Sequence, residues 1–201
     1  MKVPLFAVST LALLLLGGCS PNPTVQGKPL SEWVTMLSDR DSTFREVALN
    51  AIAKVKPAEA KRAKDALVKM ANNPDESRLM RGRASALLVN NLNYRNVPIF
   101  DLLVCARLDN TDWSIFASRS FSCFQGKEEE IVKTAAKFVS KSPLSKATDK
   151  DLLEDANIQN CLEKLGPKAA PFIRVEAKNM DANSLGRQAL EMTAEKLDEK
   201  Q

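Results

Sequence analysis

The sequence predicts an all-α protein, an α–α superhelix (solenoid) of about five stacked helix pairs. Three observations predict it. Apolar residues recur at helical rather than alternating spacing through nearly all of residues 29–201. The residues that anchor the second helix of each pair, Ala48, Ala84, Ala117, Ile158 and Leu190, stand 36, 33, 41 and 32 positions apart, the near-period of a repeat array. Hydrophobic residues make up 44% of the chain but aromatics only 5%, so alanine and leucine carry the apolar load, which suits closely packed helices. One such pair buries too little surface to fold alone, so neighbours must stack into a continuous core.

Residues 1–18 read as an export signal. Lys2 gives the positive start, an apolar run is densest from Leu11 to Leu16, and Gly17 and Gly18 precede Cys19. The run is too short and wrongly flanked for a membrane-spanning helix. Leu16-Gly17-Gly18-Cys19 resembles the lipobox of bacterial lipoproteins. The resemblance implies cleavage before Cys19 and fatty acylation of its sulfur and amine, hence a lipid-anchored protein of the cell envelope. Ser20, rather than aspartate, implies by the same resemblance outer-membrane sorting, facing the periplasm in a Gram-negative cell. Residues 19–28 hold two prolines, a glycine and no periodicity, and are expected to form a tether that holds the domain off the membrane.

The helix pairs follow in order over residues 29–201. In the first, Leu30, Trp33, Val34 and Leu37 share one helix face, Asp39 to Asp41 make a turn, and Phe44, Ala48, Ala51, Ile52 and Val55 line the second helix, which Pro57 ends. In the second, Ala63, Ala66, Leu67 and Met70 precede the turn Asn72-Asn73-Pro74-Asp75, and Met80, Ala84, Leu87 and Leu88 follow it. The third sets Ile99, Leu102, Leu103 and Ala106 against Trp113, Ala117, Ser120, Phe121 and Phe124, with Gln125-Gly126 as the stop. The fourth sets Ile131, Ala135, Phe138 and Val139 against Ile158, Cys161, Leu162 and Leu165, across a longer connector holding Pro143. Gly166-Pro167 restarts the chain, and Ala169, Phe172 and Ile173 pair with Leu190, Thr193, Ala194 and Leu197.

A charge pattern accompanies the repeat. Asp39, Asp75 and Asp181 each lie six residues before an arginine, Arg45, Arg81 and Arg187, and each arginine lies three before its anchor. This resembles the HEAT repeat, as does the opening Gly27-Lys28-Pro29-Leu30-Ser31-Glu32-Trp33, which is similar to HEAT domains of bacterial envelope proteins. The resemblance implies that the aspartates cap helix N–H groups and that the arginine forks bind turn carbonyls or the next carboxylate, as a structural ladder. The third pair departs from it, with Leu108 and Ser114 at the two positions, and the fourth has Asp149 but Asp155 in place of arginine. Ankyrin and tetratricopeptide signatures are missing.

In HEAT arrays the second helices line the concave face, which implies a protein or peptide partner there. Counting from the anchors, the outward residues are Leu49, Asn50, Ala86, Val89, Asn90, Arg119, Ser122, Gln159 and Asn160, a small and mixed surface. No catalytic residue, cofactor or metal site is nominated. The chain has no histidine, no CxxC, no glycine-rich phosphate loop and no carboxylate pair at acid–base spacing. Glu128-Glu129-Glu130 reads as a favourable first helical turn. Cys105 and Cys123 are placed either as a disulfide or, with Cys161, as packed free thiols, the reading adopted. The net charge of +4 lacks the single basic stripe of a nucleic-acid binder. Lys54 to Arg83 is locally basic, nine Lys or Arg against four Asp or Glu, and reads as a solvated face or as a contact for anionic headgroups or an acidic partner. The expected function is a non-enzymatic, membrane-anchored interaction scaffold. The alternatives are a HEAT-like lyase or enzyme accessory subunit, and a passive envelope spacer.

Overall fold

The computed structural model describes residues 22–109, 111–139 and 143–200. The signal sequence and Cys19 lie outside them. The described chain is all-α apart from a small N-terminal hairpin, β1 (Thr24–Val25) against β2 (Lys28–Pro29), antiparallel. Gln26 and Gly27 form its two-residue loop with φ of 51° and 80°, the left-handed pair that a tight hairpin turn requires. The hairpin is fastened to the first helix, α1 (Leu30–Met36). The Leu30 N–H donates to the Pro23 carbonyl at 2.8 Å and Trp33 Nε1 to the Val25 carbonyl at 2.8 Å. Lys28 lies over the Trp33 ring, and Asn22 bonds Ser31. The tether expected over residues 19–28 is thus corrected for residues 22–28, which are folded onto the domain. Strands two residues long leave no periodicity to read.

The helices come in successive pairs. α1 leads to α2 (Ser42–Ile52); α3 (Pro57–Ala60) and α4 (Lys64–Ala71), joined by a 3₁₀ turn, lead to α5 (Arg78–Leu92). α6 (Ile99–Leu108) leads to α7 (Asp112–Arg119), α8 (Glu128–Ala135) to α9 (Asp149–Leu165), and α10 (Ala170–Lys178) to α11 (Leu185–Asp198). The two kinds of helix start differently. Prolines open the first helices of four pairs, with Pro29 and Pro98 at the N-caps of α1 and α6, Pro57 at the start of α3 and Pro167 opening the 3₁₀ turn before α10, whereas α8 follows Lys127. Side-chain caps open every second helix: Asp41, Ser77, Thr111, Thr148 and Ser184 each accept a hydrogen bond from a first-turn N–H. Thr148 and Asp151 complete a reciprocal capping box.

Packing runs between neighbours in chain order. α5 lies against α4 and α6, and also touches α2 and α7; α9 lies against α6, α7 and α11, and α10 against α8 and α11. The centre of this packing is α5, in which every residue from Gly82 to Val89 is buried. Gly82 is there for proximity. A methyl group on it would stand 2.2 Å from the Asp101 carbonyl oxygen and 2.6 Å from Cys105 Cβ, so only glycine lets α5 and α6 approach this closely. Large fully buried side chains, Leu30, Ile52, Leu87, Leu102, Phe121 and Ile131 among them, run from the first pair to the fourth in one core.

Candidate interaction cleft

α2 and α7 belong to the first and third pairs, yet they meet across α5. Trp113 Nε1 donates to Asn50 Oδ1 at 2.7 Å, and the Asn90 amide of α5 donates to the Phe116 carbonyl at 2.8 Å and to Ser120 Oγ at 2.9 Å. Above this brace lies an open cleft of about 760 Å³, lined by Val47, Asn50, Ala53 and Lys54 of α2 and its end, by Trp113, Ile115, Phe116 and Arg119 of α7, and by Gln26 of the hairpin and Asp112. Val47 is 40% and Ile115 58% exposed, on either side of the cleft. The lining mixes apolar Val47, Ala53, Trp113, Ile115 and Phe116 with cations at Lys54 and Arg119 and one carboxylate at Asp112. Such a mixture binds by shape and by a few polar contacts.

Below the cleft floor sits a buried charge. Arg83 Nε donates to Asp109 Oδ2 at 2.7 Å and Nη1 to Glu46 Oε1 at 2.5 Å, and the guanidinium stacks 5.8 Å from the centre of the Trp113 ring. Arg83 and Asp109 are almost completely removed from water, whereas Glu46 is half exposed. Burial works against the charged guanidinium, but the bonds to Asp109 and Glu46 outweigh it and hold its pKa above the usual arginine value. Asp109 also accepts from the Thr111 N–H and hydroxyl, so the ion pair and the start of α7 are fixed together. The cleft is therefore built on a rigid base that joins α2, α5, α6 and α7.

The nine residues expected on the concave face divide sharply. Leu49, Ala86 and Val89 are buried, at 0%, 0% and 2% exposure, and belong to the core. Asn90 is consumed by its bonds to α7, and Gln159 donates to the Ala189 carbonyl at 2.8 Å, joining α9 to α11. Ser122 is exposed, its hydroxyl bonded to the Arg119 carbonyl, and Asn160 is exposed on α9 away from the cleft. Asn50 and Arg119 alone of the nine line the cleft. The correction has a physical reason. At the central helix α5 the neighbouring helices cover the positions two and five past the anchor, Ala86 and Val89, while the same positions stay open at Asn50, Arg119 and Ser122. The open stripe lies one or two residues before the anchor, at Val47 and Ile115. Two bulky apolar residues just off the core stripe of helices two pairs apart were the available signal.

The arginine half of the expected ladder forms at Arg45 and Arg81 but not at Arg187, and the aspartate half differs. Arg45 forks onto the Glu76 carboxylate at 2.6 and 3.1 Å and donates Nη1 to the Asp39 and Arg40 carbonyls. Arg81 forks onto Asp101 at 2.9 and 3.1 Å and donates to the Asn73 and Pro74 carbonyls. Each thus ties its own turn to the next pair. Arg187 bonds Glu191 on its own helix. The aspartates do not cap helices. Asp39 and Asp181 hold their turns by accepting from the N–H two residues on, and in the second pair that work falls to Asn73, which accepts from the Asp75 N–H. Asp75 is therefore not the counterpart of Asp39; its turn is longer. In the third pair Ser114 Oγ donates to the Ala106 carbonyl, and Arg107 reaches Glu154 of α9 at 2.5 Å. Cys105, Cys123 and Cys161 are free; Cys105 and Cys161 are buried, and burial pushes both thiols far above the ordinary range. Among the described residues no His/Cys/Asp/Glu group is arranged to hold a metal, and no helix is long and apolar enough to cross a membrane. Comparison with protein-family models, with curated proteins and with solved structures gives no match.

Proposed function

We propose that this protein is a non-enzymatic interaction module of the bacterial cell envelope: a HEAT-like solenoid, held to its membrane by acyl chains on Cys19, that receives an apolar segment of a protein or peptide partner in the cleft between α2 and α7. One observation carries the reading. Two second helices, from different pairs, bring exposed Val47 and Ile115 into one cleft over a braced floor, with Lys54 and Arg119 in the same lining to meet partner carboxylates or carbonyls. The HEAT-like part is supported by the paired forks Arg45–Glu76 and Arg81–Asp101, which recur between successive pairs with the same pattern of one carboxylate and two turn carbonyls.

The cleft is tested by display selection of random peptides on the purified protein. The expected winners carry an apolar residue beside an acidic one. Their binding is expected to fall at least tenfold with Val47→Asp or Ile115→Asp, both exposed, while the helical circular dichroism signal is unchanged. Peptides that bind both variants as tightly as the wild type refute the cleft as the site. The anchor is tested separately: Cys19→Ala is expected to move the protein from the membrane fraction to the soluble envelope fraction, and an unchanged distribution refutes it.

A further inference from the structure

We infer that the protein lies directly on an anionic lipid surface through the edge formed by the loops between its helix pairs, and does not stand off the membrane on a tether. The inference rests on lipid attachment at Cys19, and adds to it a docking surface and an orientation.

Chain length carries the first step. The folded domain begins at Asn22, whose side chain donates to Ser31 Oγ at 2.7 Å and whose Oδ1 accepts from the Ser31 N–H. Three peptide units separate it from Cys19, and a fully extended chain gains at most about 3.6 Å per residue, so the two Cα atoms stand within about 11 Å. Acyl chains at Cys19 therefore hold the start of α1 within about one to two Debye lengths of the headgroups, where surface charge is felt.

Charge placement carries the second. Antiparallel pairs put the turns within pairs at one edge and the loops between pairs at the other. The chain enters at the second edge, and side-chain and helix contacts trace that edge outward from Asn22. Lys28 covers Trp33 at the start of α1; α1 touches the 3₁₀ turn that begins at Lys61; Lys64 lies 5.0 Å from the centre of the Tyr94 ring in the α5–α6 loop; and Gln26 and Lys54 line the same cleft. The exposed cations there are Lys28, Lys54, Lys56, Lys61, Lys64 and Arg95, against the exposed acids Glu32, Glu59 and Asp65. The opposite edge mixes Asp39, Asp41, Asp75, Asp112, half-buried Asp151 and Asp181 with the exposed Arg40, Lys69, Arg78, Lys146, Lys150 and Lys178. The opposite edge is close to balanced, so the excess of cations lies at the end held to the membrane. Each lysine near an anionic surface adds roughly 1 kcal/mol.

The test uses the full acylated protein, purified from cells and reconstituted into phosphatidylcholine vesicles, whose headgroup cannot be acetylated, with or without phosphatidylglycerol. Lysines are acetylated under limiting reagent and read by mass spectrometry. Lys28, Lys56, Lys61 and Lys64 are expected to react about fivefold more slowly on the anionic vesicles, the factor that roughly 1 kcal/mol represents. About 0.5 M salt is expected to remove the difference, and Lys69 and Lys178, at the far edge, are expected to show none. Equal acetylation of the four lysines on both vesicles overturns the docking and leaves the anchor standing. Wild-type protein that fails to float with neutral vesicles overturns the anchor and the docking with it.

Discussion

Arg83 places a full positive charge where the core should be apolar, and its surroundings explain how it is held there. Asp109 and Glu46 satisfy the guanidinium on two sides and Trp113 covers it on a third. Removing one partner of a buried pair leaves the other charge uncompensated, at a cost of about 3–5 kcal/mol. Arg83→Met is therefore expected to destabilise by about that amount, because Asp109 loses its counterion, and urea unfolding checks it. Arg83→Met with Asp109→Leu is expected to recover much of the loss, since paired apolar replacements avoid the stranded charge. Asp41 is the opposite case, an exposed carboxylate. The bond from the Thr43 N–H holds its pKa below the ordinary 3.8. A lowered folded pKa means that its capping contribution is complete above the ordinary value and is lost as pH falls through the lower one. The thermal-midpoint gap between wild type and Asp41→Ala is expected to be constant at neutral pH and to close on acidification below about pH 4. Thiol chemistry separates the cysteines in the same way. Partly exposed Cys123 is expected to alkylate in the native protein, with Cys105 and Cys161 following only on unfolding, as mass spectrometry after timed labelling reads directly.

At the scale of the helices much was legible, because the signals were local. The apolar stripes of Ala48, Ala84, Ala117, Ile158 and Leu190 are buried as their helical spacing requires, and turns fall where proline and Asn/Asp clusters stand. What failed was the outer side of those stripes. A sequence shows which face of a helix is apolar, but the depth to which that face sinks is set by how near the next helix comes. At α5 this distance is set by Gly82, which admits the backbone of α6, and the close stack covers Ala86 and Val89 that an isolated helix would expose. Likewise Arg45 and Arg81 were visible, but their carboxylate partners Glu76 and Asp101 lie 31 and 20 residues onward and follow no fixed spacing. Gly82→Ala puts the two effects in conflict. Alanine improves helix propensity by about 1 kcal/mol, yet its methyl would meet a backbone oxygen that cannot step aside. Overpacking of this kind costs about 1–3 kcal/mol, so a net loss of stability is expected. Chemical denaturation giving a more stable Gly82→Ala protein would mean that α5 and α6 do not approach as described.

Across the whole molecule the joints between pairs are not equivalent. The first three pairs are tied by forks between successive members, by the relay Glu46 to Arg83 to Asp109 that passes through all three, and by a bond that skips a member, Asn50 to Trp113. The fifth pair is held to the fourth by Gln159 on the Ala189 carbonyl and by Lys196 and Lys200 on Glu163, with half-exposed lysines. Exposed ion pairs contribute little, commonly below about 1 kcal/mol, so this joint relies on its apolar contacts and the Gln159 bond. A stack of units opens from its weaker end, and amide exchange reports the opening energy of each unit. Amides of α5 and α6 are therefore expected to exchange slowest, through global unfolding, and those of α10 and α11 earlier, through a partial opening. Asn50→Ala breaks the bond that skips a pair while leaving the forks intact. It is expected to bring the exchange of α2 towards that of α11 while α10 and α11 keep their own rates. Equal acceleration across all helices would show instead that the chain opens as one cooperative body.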